Sequence, residues 1–282
     1  MIENFKKYLE NERKSINTID SYIFDLTEYF NWFETSFNMK LTILHIQNII
    51  DYKKYLSNVK RNNAKSINRK LNTLKKFNEY LISINFMNGI IITSKIMIKL
   101  NPEYAAPTKV TNDEVKQFLQ VILETGDLRN YALVTLLCYT GLRISEALDI
   151  KLDDFNLESR ECIIRSGKGD KQRIVIFNSK VITAINEYLK IREKYTTANT
   201  SSFLFLSKRT KKLDRTAVNK IFNKYSIKIT PHQLRHFFCT NALENNLGIH
   251  EVAYLAGHSN IHTTLLYTNP DKEKIKNKLE NL

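Results

Sequence analysis

Apolar residues recur along the first hundred positions at the three-to-four spacing of helices. Ile19, Tyr22, Ile23, Leu26, Phe30 and Phe33 share one face, and Ile67, Leu71, Leu74, Phe77 and Leu81 share another. The period breaks between Asn101 and Lys109, where Pro102 and Pro107 bracket a stretch that cannot continue as a regular helix. A fresh start follows. Thr111 and Glu114 have the spacing of a capping box, and Val115, Phe118, Leu119 and Ile122 continue behind them as an apolar face. Helical patterning covers Asn130–Leu148. Cys162–Arg165 and Arg173–Phe177 are short, β-branched runs on either side of Ser166-Gly167-Lys168-Gly169-Asp170-Lys171, which predicts a β-hairpin. Helices resume near Lys180. In the tail from Lys272 to Leu282, Ile275, Leu279 and Leu282 alternate with lysines and predict a short amphipathic helix. The expected fold is mainly α with a small β-hairpin or sheet (α+β). The expected domains are residues 1–100, a linker at 101–110, and residues 111–282 closed by a C-terminal helix.

Length agrees with two domains, since 282 residues at roughly 150 per domain give about two. Charge narrows the class. Lys and Arg number 43 against 29 Asp and Glu, a net +14, and such a surface attracts polyanions. The stretch Asp51–Lys76 holds nine basic residues and one acid, while the whole first hundred residues carry +7. One segment therefore supplies all of that region's excess. Its charges are of one sign rather than the i,i+4 pairs of a mixed solvated face. Lys65, Arg69, Lys70, Lys75 and Lys76 are the candidate polyanion contacts there. No apolar h-region follows Met1–Leu9, and the longest uncharged stretch, Tyr80–Ser94, falls short of the roughly 18 apolar residues of a membrane span. Cys138, Cys162 and Cys239 lie far apart, which fits a reducing compartment rather than a disulfide framework. A cytoplasmic protein with no membrane association is expected.

Four local motifs could carry chemistry. Thr140-Gly141-Leu142-Arg143 leads into Ile144-Ser145-Glu146, where Arg143 either faces a ligand or pairs with Glu146. Gly167-Lys168-Gly169 sets a lysine at a hairpin tip, with Lys171 and Arg173 adding positive charge; the spacing is not that of a Walker loop. Pro231-His232-Gln233-Leu234-Arg235-His236 puts His232 and Arg235 on one helical face, with Pro231 suited to the first turn. His232 and His236 have zinc-pair spacing, as do His258 and His262. Gln233 stands where a zinc protease needs its glutamate, however, and Arg235 would repel a cation, so no metal is expected. The fourth motif runs from Leu255-Ala256-Gly257-His258 to Tyr267-Thr268. Taken in order, Arg143, Lys168, His232, Arg235, His258 and Tyr267 form a set suited to attack on a phosphodiester. Tyrosine is a covalent nucleophile, arginines hold phosphoryl oxygens in two-pronged fashion, lysine can protonate a leaving oxygen, and histidines pass protons near neutrality.

These motifs, in this order and spacing from about Thr111 to Thr268, resemble the tyrosine recombinase (phage integrase) family. The first hundred residues are similar in kind to that family's helical core-binding domain. Length and layout resemble its Xer-like members, without the arm-binding domain that precedes many phage integrases. The resemblance implies a site-specific DNA recombinase in which Tyr267 attacks the scissile phosphate to form a 3′-phosphotyrosyl link. Arg143 and Arg235 would clamp the phosphate, and Lys168 would protonate the departing 5′ oxygen. His232 would assist proton transfer, and His258 would hydrogen-bond a phosphate oxygen. Glu146 would orient Arg143, and His236 would brace the site. Neither metal, ATP nor another cofactor is implied. The implied partner is double-stranded DNA bearing a specific recombination site, with Lys65, Arg69, Lys70, Lys75, Lys76, Lys171 and Arg173 as its candidate contacts. The implied assembly is a homo-tetramer on two duplexes, with a second recombinase or accessory protein left open, and the C-terminal tail docking on a neighbour or in cis. Ile176, Ala256 and His262 depart from the family's usual Pro, Leu, and Ser or Thr without removing a catalytic group. Three other readings stand beside this one: a type IB topoisomerase-like swivelase, a DNA-binding protein of the same fold that no longer cuts, and a zinc hydrolase built on the paired histidines.

Overall fold

A computed structural model describes residues 1–99, 110–165, 172–207, 210–258 and 262–265. The chain forms two compact units, Met1–Glu103 and Tyr104–Leu282.

The first unit is helical throughout its described elements: α1 (Ile2–Asn11), α2 (Ile16–Phe37), α3 (Ile46–Asn58) and α4 (Ala64–Ser83). The starts are set locally. The Ser15 side chain accepts from the Thr18 N–H, and Asn63 Oδ1 accepts from the Ser66 N–H at 2.8 Å. Capping of this kind satisfies donors that a first turn would otherwise leave open. The stripe Ile67, Leu71, Leu74, Phe77 and Leu81 is buried along α4, which packs against α1, α2 and α3. Phe5, Leu26, Tyr29 and Tyr52 meet it from those helices. Asn78 ties the following segment down, accepting the Ile91 N–H at 2.8 Å and donating to the Gly89 carbonyl at 3.2 Å.

The second unit is built around α6 (Leu128–Thr140), a helix buried almost all round. It packs against α5 (Asn112–Glu124), α8 (Ser179–Arg192) and α10 (Pro231–Glu244). The capping box opens α5, with Glu114 Oε2 accepting the Thr111 N–H at 2.7 Å and Thr111 Oγ1 accepting the Glu114 N–H at 3.3 Å. Val110, assigned by sequence to the linker, is buried in this unit's core; the rest of that linker lies outside the described residues. The helical pattern of Asn130–Leu148 is divided in two. Gly141 ends α6 in the left-handed region (φ 63°), and α7 (Ile144–Asp149) starts anew. A Cβ on Gly141 would lie 2.3 Å from Phe238 Cδ1, so close packing and backbone sign both require glycine here.

The hairpin strands are present as β2 (Glu161–Arg165) and β3 (Gln172–Ile176), and a short β1 (Phe155–Asn156) adds a third antiparallel strand on the far side of β2. Both long strands alternate exposed and buried residues. The register sets Cys162 opposite Val175 and Ile164 opposite Arg173, so Arg173 points to the same side as Val175, into the unit. The chain continues through α9 (Arg215–Tyr225), α10, α11 (Ile249–Ala256) and α12 (His262–Leu265). The expected tail helix lies outside the described residues.

Candidate active site

Three helix ends converge on one cavity of about 460 Å³, lined among others by Arg143, His232, Arg235 and His258. Each end is fixed by its own sequence. Arg143 stands just before α7, where the Gly141 break turns the chain. Its main-chain N–H donates to Glu146 Oε2 at 2.8 Å, and its Nη1 donates to Glu146 Oε1 at 2.9 Å. At the start of α10, Thr230 Oγ1 accepts the Gln233 N–H at 3.2 Å, with Pro231 in the first turn. His232 and Arg235, three residues apart, then face the same way. Arg235 is buried and donates through Nη1 to the Gly141 carbonyl at 2.7 Å, which joins α10 to the α6–α7 break. The third end is α11. Gly257 closes it in the left-handed region (φ 66°), and the His258 N–H returns to the Ala253 carbonyl at 2.9 Å. This closure delivers His258 to the cavity, where its Nδ1 lies 2.7 Å from Thr264 Oγ1 of α12.

Partial burial first, and neighbouring positive charge second, keep the histidines neutral. Partial burial, then the charges of Arg235, Arg143 and Arg173, pull His258 down to about 4. Burial, then His232 and Arg235, pull His236 down to about 4, and burial with Arg235 lowers His232. The Nε2 atoms of His232 and His236 lie 2.8 Å apart. One ring must donate and the other accept, so the pair cannot be doubly protonated there. At neutral pH the site therefore holds uncharged imidazoles among permanent guanidinium charges. That arrangement favours an anion and leaves ring nitrogens able to accept a proton. Among the described residues no group of three His, Cys, Asp or Glu side chains is placed to hold a metal ion.

Glu146 is the keystone of the cluster. Its two oxygens accept four hydrogen bonds: two from Arg143, as above, and two from Arg173, from Nη1 to Oε1 at 3.1 Å and from Nη2 to Oε2 at 2.8 Å. Burial by itself would raise this carboxyl. The hydrogen bonds from Arg173 and the Arg143 N–H, with both positive charges, outweigh it and hold the group below the ordinary carboxylate range. The Glu146–Arg143 pairing expected from sequence is thus present, but Arg143 keeps a side chain 45% exposed toward the cavity.

Several sequence assignments change. Arg173 is not a surface DNA contact; it is buried between Glu146 and the end of α11, because its register puts it on the inner face of β3. The one-signed charge run of α3 and α4 is partly neutralised from other helices. Lys70 is buried against Glu28, Arg69 pairs with buried Asp25, and Lys76 reaches Glu12 at 2.6 Å and Glu79 at 3.0 Å. All but the Glu79 contact join residues more than 40 positions apart, beyond any local charge pattern. Lys70 and Lys76 therefore hold the helices together rather than project toward a ligand. Lys65 and Lys75 make no ion pair among the described residues; Lys65 is exposed and Lys75 half-buried. Lys168, Lys171 and Tyr267 lie outside the described residues. Arg215 and Asn219 of α9 also line the cavity. They were missed because they sit in no motif and reach the site only through the packing of α9 against α7.

Two arginines, paired imidazoles and a helix-end histidine around one open cavity are groups able to hold an anion such as a phosphate, and comparison with known proteins places the chain in a family. The family model described as "Phage integrase family" matches residues 108–274, and "Phage integrase, N-terminal SAM-like domain" matches residues 2–85. The chain is 57% identical to the TnP I resolvase of Bacillus thuringiensis, over 99% of this chain and 98% of that protein. It is 31% identical to the tyrosine recombinase XerA of Pyrococcus furiosus, over 99% of this chain and 93% of that protein. Its fold is also that of the XerH site-specific recombinase solved on palindromic difH DNA (TM-score 0.76, 24% identity, 99% of this chain and 84% of that one). The chain belongs to the phage integrase family. It is a tyrosine recombinase, an enzyme of site-specific recombination that breaks and rejoins DNA strands through a tyrosyl-phosphate link.

Proposed function

We propose that the cavity between α7, α10 and α11 grips the scissile phosphate and that Tyr267 attacks it. The observation that carries this reading is the convergence of Arg143, His232, Arg235 and His258, up to 115 residues apart in sequence, on one cavity. Arg143 and Arg235 hold the non-bridging oxygens and stabilise the charge of the pentacovalent transition state. The Tyr267 oxygen forms the bond to phosphorus, and the bond from phosphorus to the 5′ oxygen breaks. The phenolic proton passes to neutral His232, and Lys168 supplies the proton that the departing 5′ oxygen takes up. His258, held at Nδ1 by Thr264, hydrogen-bonds a phosphate oxygen. The phosphotyrosyl link retains the bond energy, so a new 5′-hydroxyl reverses the sequence without ATP or metal.

The partner is double-stranded DNA bearing a specific site. Residues 1–100 act as the core-binding domain, residues 101–110 as the linker and residues 111–282 as the catalytic domain. Lys65 and Lys75 supply phosphate contacts from the first, and Lys171 from the second. The working form is a cytoplasmic homo-tetramer on two duplexes. Similarity to a protein named a resolvase favours recombination between two sites on one DNA molecule over integration.

The test is a suicide substrate: a nicked duplex from beside the gene, incubated in EDTA with the wild type and with Tyr267→Phe. A covalent adduct with the wild type alone supports the proposal. An adduct that survives Tyr267→Phe means another nucleophile, and tight binding without any adduct overturns the assignment of the cavity as a cleavage site.

A further inference from the structure

We propose that Arg173 is a positioning residue for strand cleavage: it holds Glu146 and the end of α11, and through them places Arg143 and His258. This rests on the reading of Arg143 as a phosphate ligand. Every nitrogen of the Arg173 guanidinium is engaged inside the protein. Nη1 and Nη2 form a two-pronged pair with Glu146, and Nε donates to the Leu255 carbonyl at 3.1 Å. Two residues on, the Gly257 carbonyl accepts from Arg143 Nη2 at 2.9 Å. Gly257 also packs closely against the guanidinium, since a Cβ there would come within 2.6 Å of Arg173 Cζ. The side chain therefore touches α7 through Glu146 and the end of α11 directly. It stands on β3, the strand that begins four residues after Lys168.

Charge explains why an arginine serves here. Glu146 faces two guanidinium groups, one buried and one open to the cavity. The buried group, two-pronged and desolvated, is the stronger partner for the carboxylate. With Arg173 in place, Glu146 is neutralised from within and Arg143 keeps its charge for a phosphate. Without it, the carboxylate is left to Arg143 alone, which draws that guanidinium away from the cavity and cancels its charge. A methionine would fill the space with none of the desolvation cost, but it would leave Glu146 to Arg143 alone and take the donor from the Leu255 carbonyl.

The experiment compares full-length wild type, Arg173→Lys, Arg173→Met and Arg143→Ala in single-turnover cleavage of the nicked duplex, with DNA affinity measured separately. Arg173→Met is expected to bind DNA nearly as well as the wild type and to cleave bound DNA roughly ten- to a hundredfold more slowly, the scale of a displaced catalytic group. Arg173→Lys restores charge without the two-pronged geometry and should recover only part of the rate. A second readout is the titration of His258 by NMR. Arg143 before α7, Arg173 on β3, Arg235 and His236 on α10 and Thr264 on α12 face this ring. Removing one positive charge in Arg173→Met should raise its midpoint from about 4, and Arg173→Lys should not. Wild-type cleavage by Arg173→Met overturns the proposal, as does a defect confined to DNA affinity, which would make Arg173 a DNA contact. If Arg173→Met fails to fold, Arg173→Lys decides, and wild-type cleavage by it overturns the proposal. Normal cleavage by Arg143→Ala would instead overturn the reading of the site on which this inference rests.

Discussion

Replacing Glu146 with glutamine tests the logic of the site most directly. The carboxylate accepts four hydrogen bonds, two at each oxygen, and is buried with Arg173. Glutamine is nearly isosteric but offers one acceptor oxygen. Its amide group must face two N–H donors, so at least two of the four bonds are lost and the buried guanidinium loses its counter-charge. Removing one member of a buried pair costs about 3–5 kcal/mol. Urea unfolding of the full chain should therefore show the transition of the second unit moved to markedly lower denaturant, and cleavage of the nicked duplex should slow as Arg143 loses its anchor. The double variant Glu146→Gln/Arg173→Met separates this reasoning from general damage. Taking away the stranded charge as well should recover part of the stability. A double variant whose loss equals the sum of the two single losses would refute the pairing argument, and so would a Glu146→Gln protein with wild-type stability.

Gly141→Ala should cost about 1–2 kcal/mol for the left-handed backbone and a further 1–3 kcal/mol for the clash with Phe238, read as a drop in the denaturation midpoint of the second unit. Because the Gly141 carbonyl anchors Arg235, this variant should also cut poorly even where it remains folded. His236 and His258 are held near 4, below their unfolded value near 6.5, so the unfolded chain binds more protons between those limits. Stability should therefore be intact above about pH 6.5 and fall as the pH drops toward 4, and replacing both histidines with glutamine should flatten that dependence in urea titrations. Lys65→Ala and Lys75→Ala should each lower the slope of log affinity for DNA against log salt by about 1, whereas Lys70→Met, at a buried ion pair, should leave that slope unchanged.

The sequence by itself determined several of the helices, where some of them start, and which motifs hold the residues that line the cavity. Stripes such as Ile67 to Leu81 declare a buried face whatever packs against it, because helical period and burial follow from the same residues. The Thr111–Glu114 box and Pro231 mark helix starts by local hydrogen bonding and ring geometry alone. The order of Arg143, His232, Arg235 and His258 was legible because each sits in a short motif at a helix end. Their union in one cavity depends on where α7, α10 and α11 pack, and only the tertiary structure decided that. It also decided the fate of individual charges. Lys70 and Arg173 look like any other cations in the sequence, yet their partners lie 42 and 27 residues away. Coulomb attraction and desolvation depend on distance in space and on burial, and neither is written in local spacing. The one clue to Arg173 was parity: it alternates in step with Val175 and Phe177, both buried, and a strand that faces a core on one side turns every second residue inward.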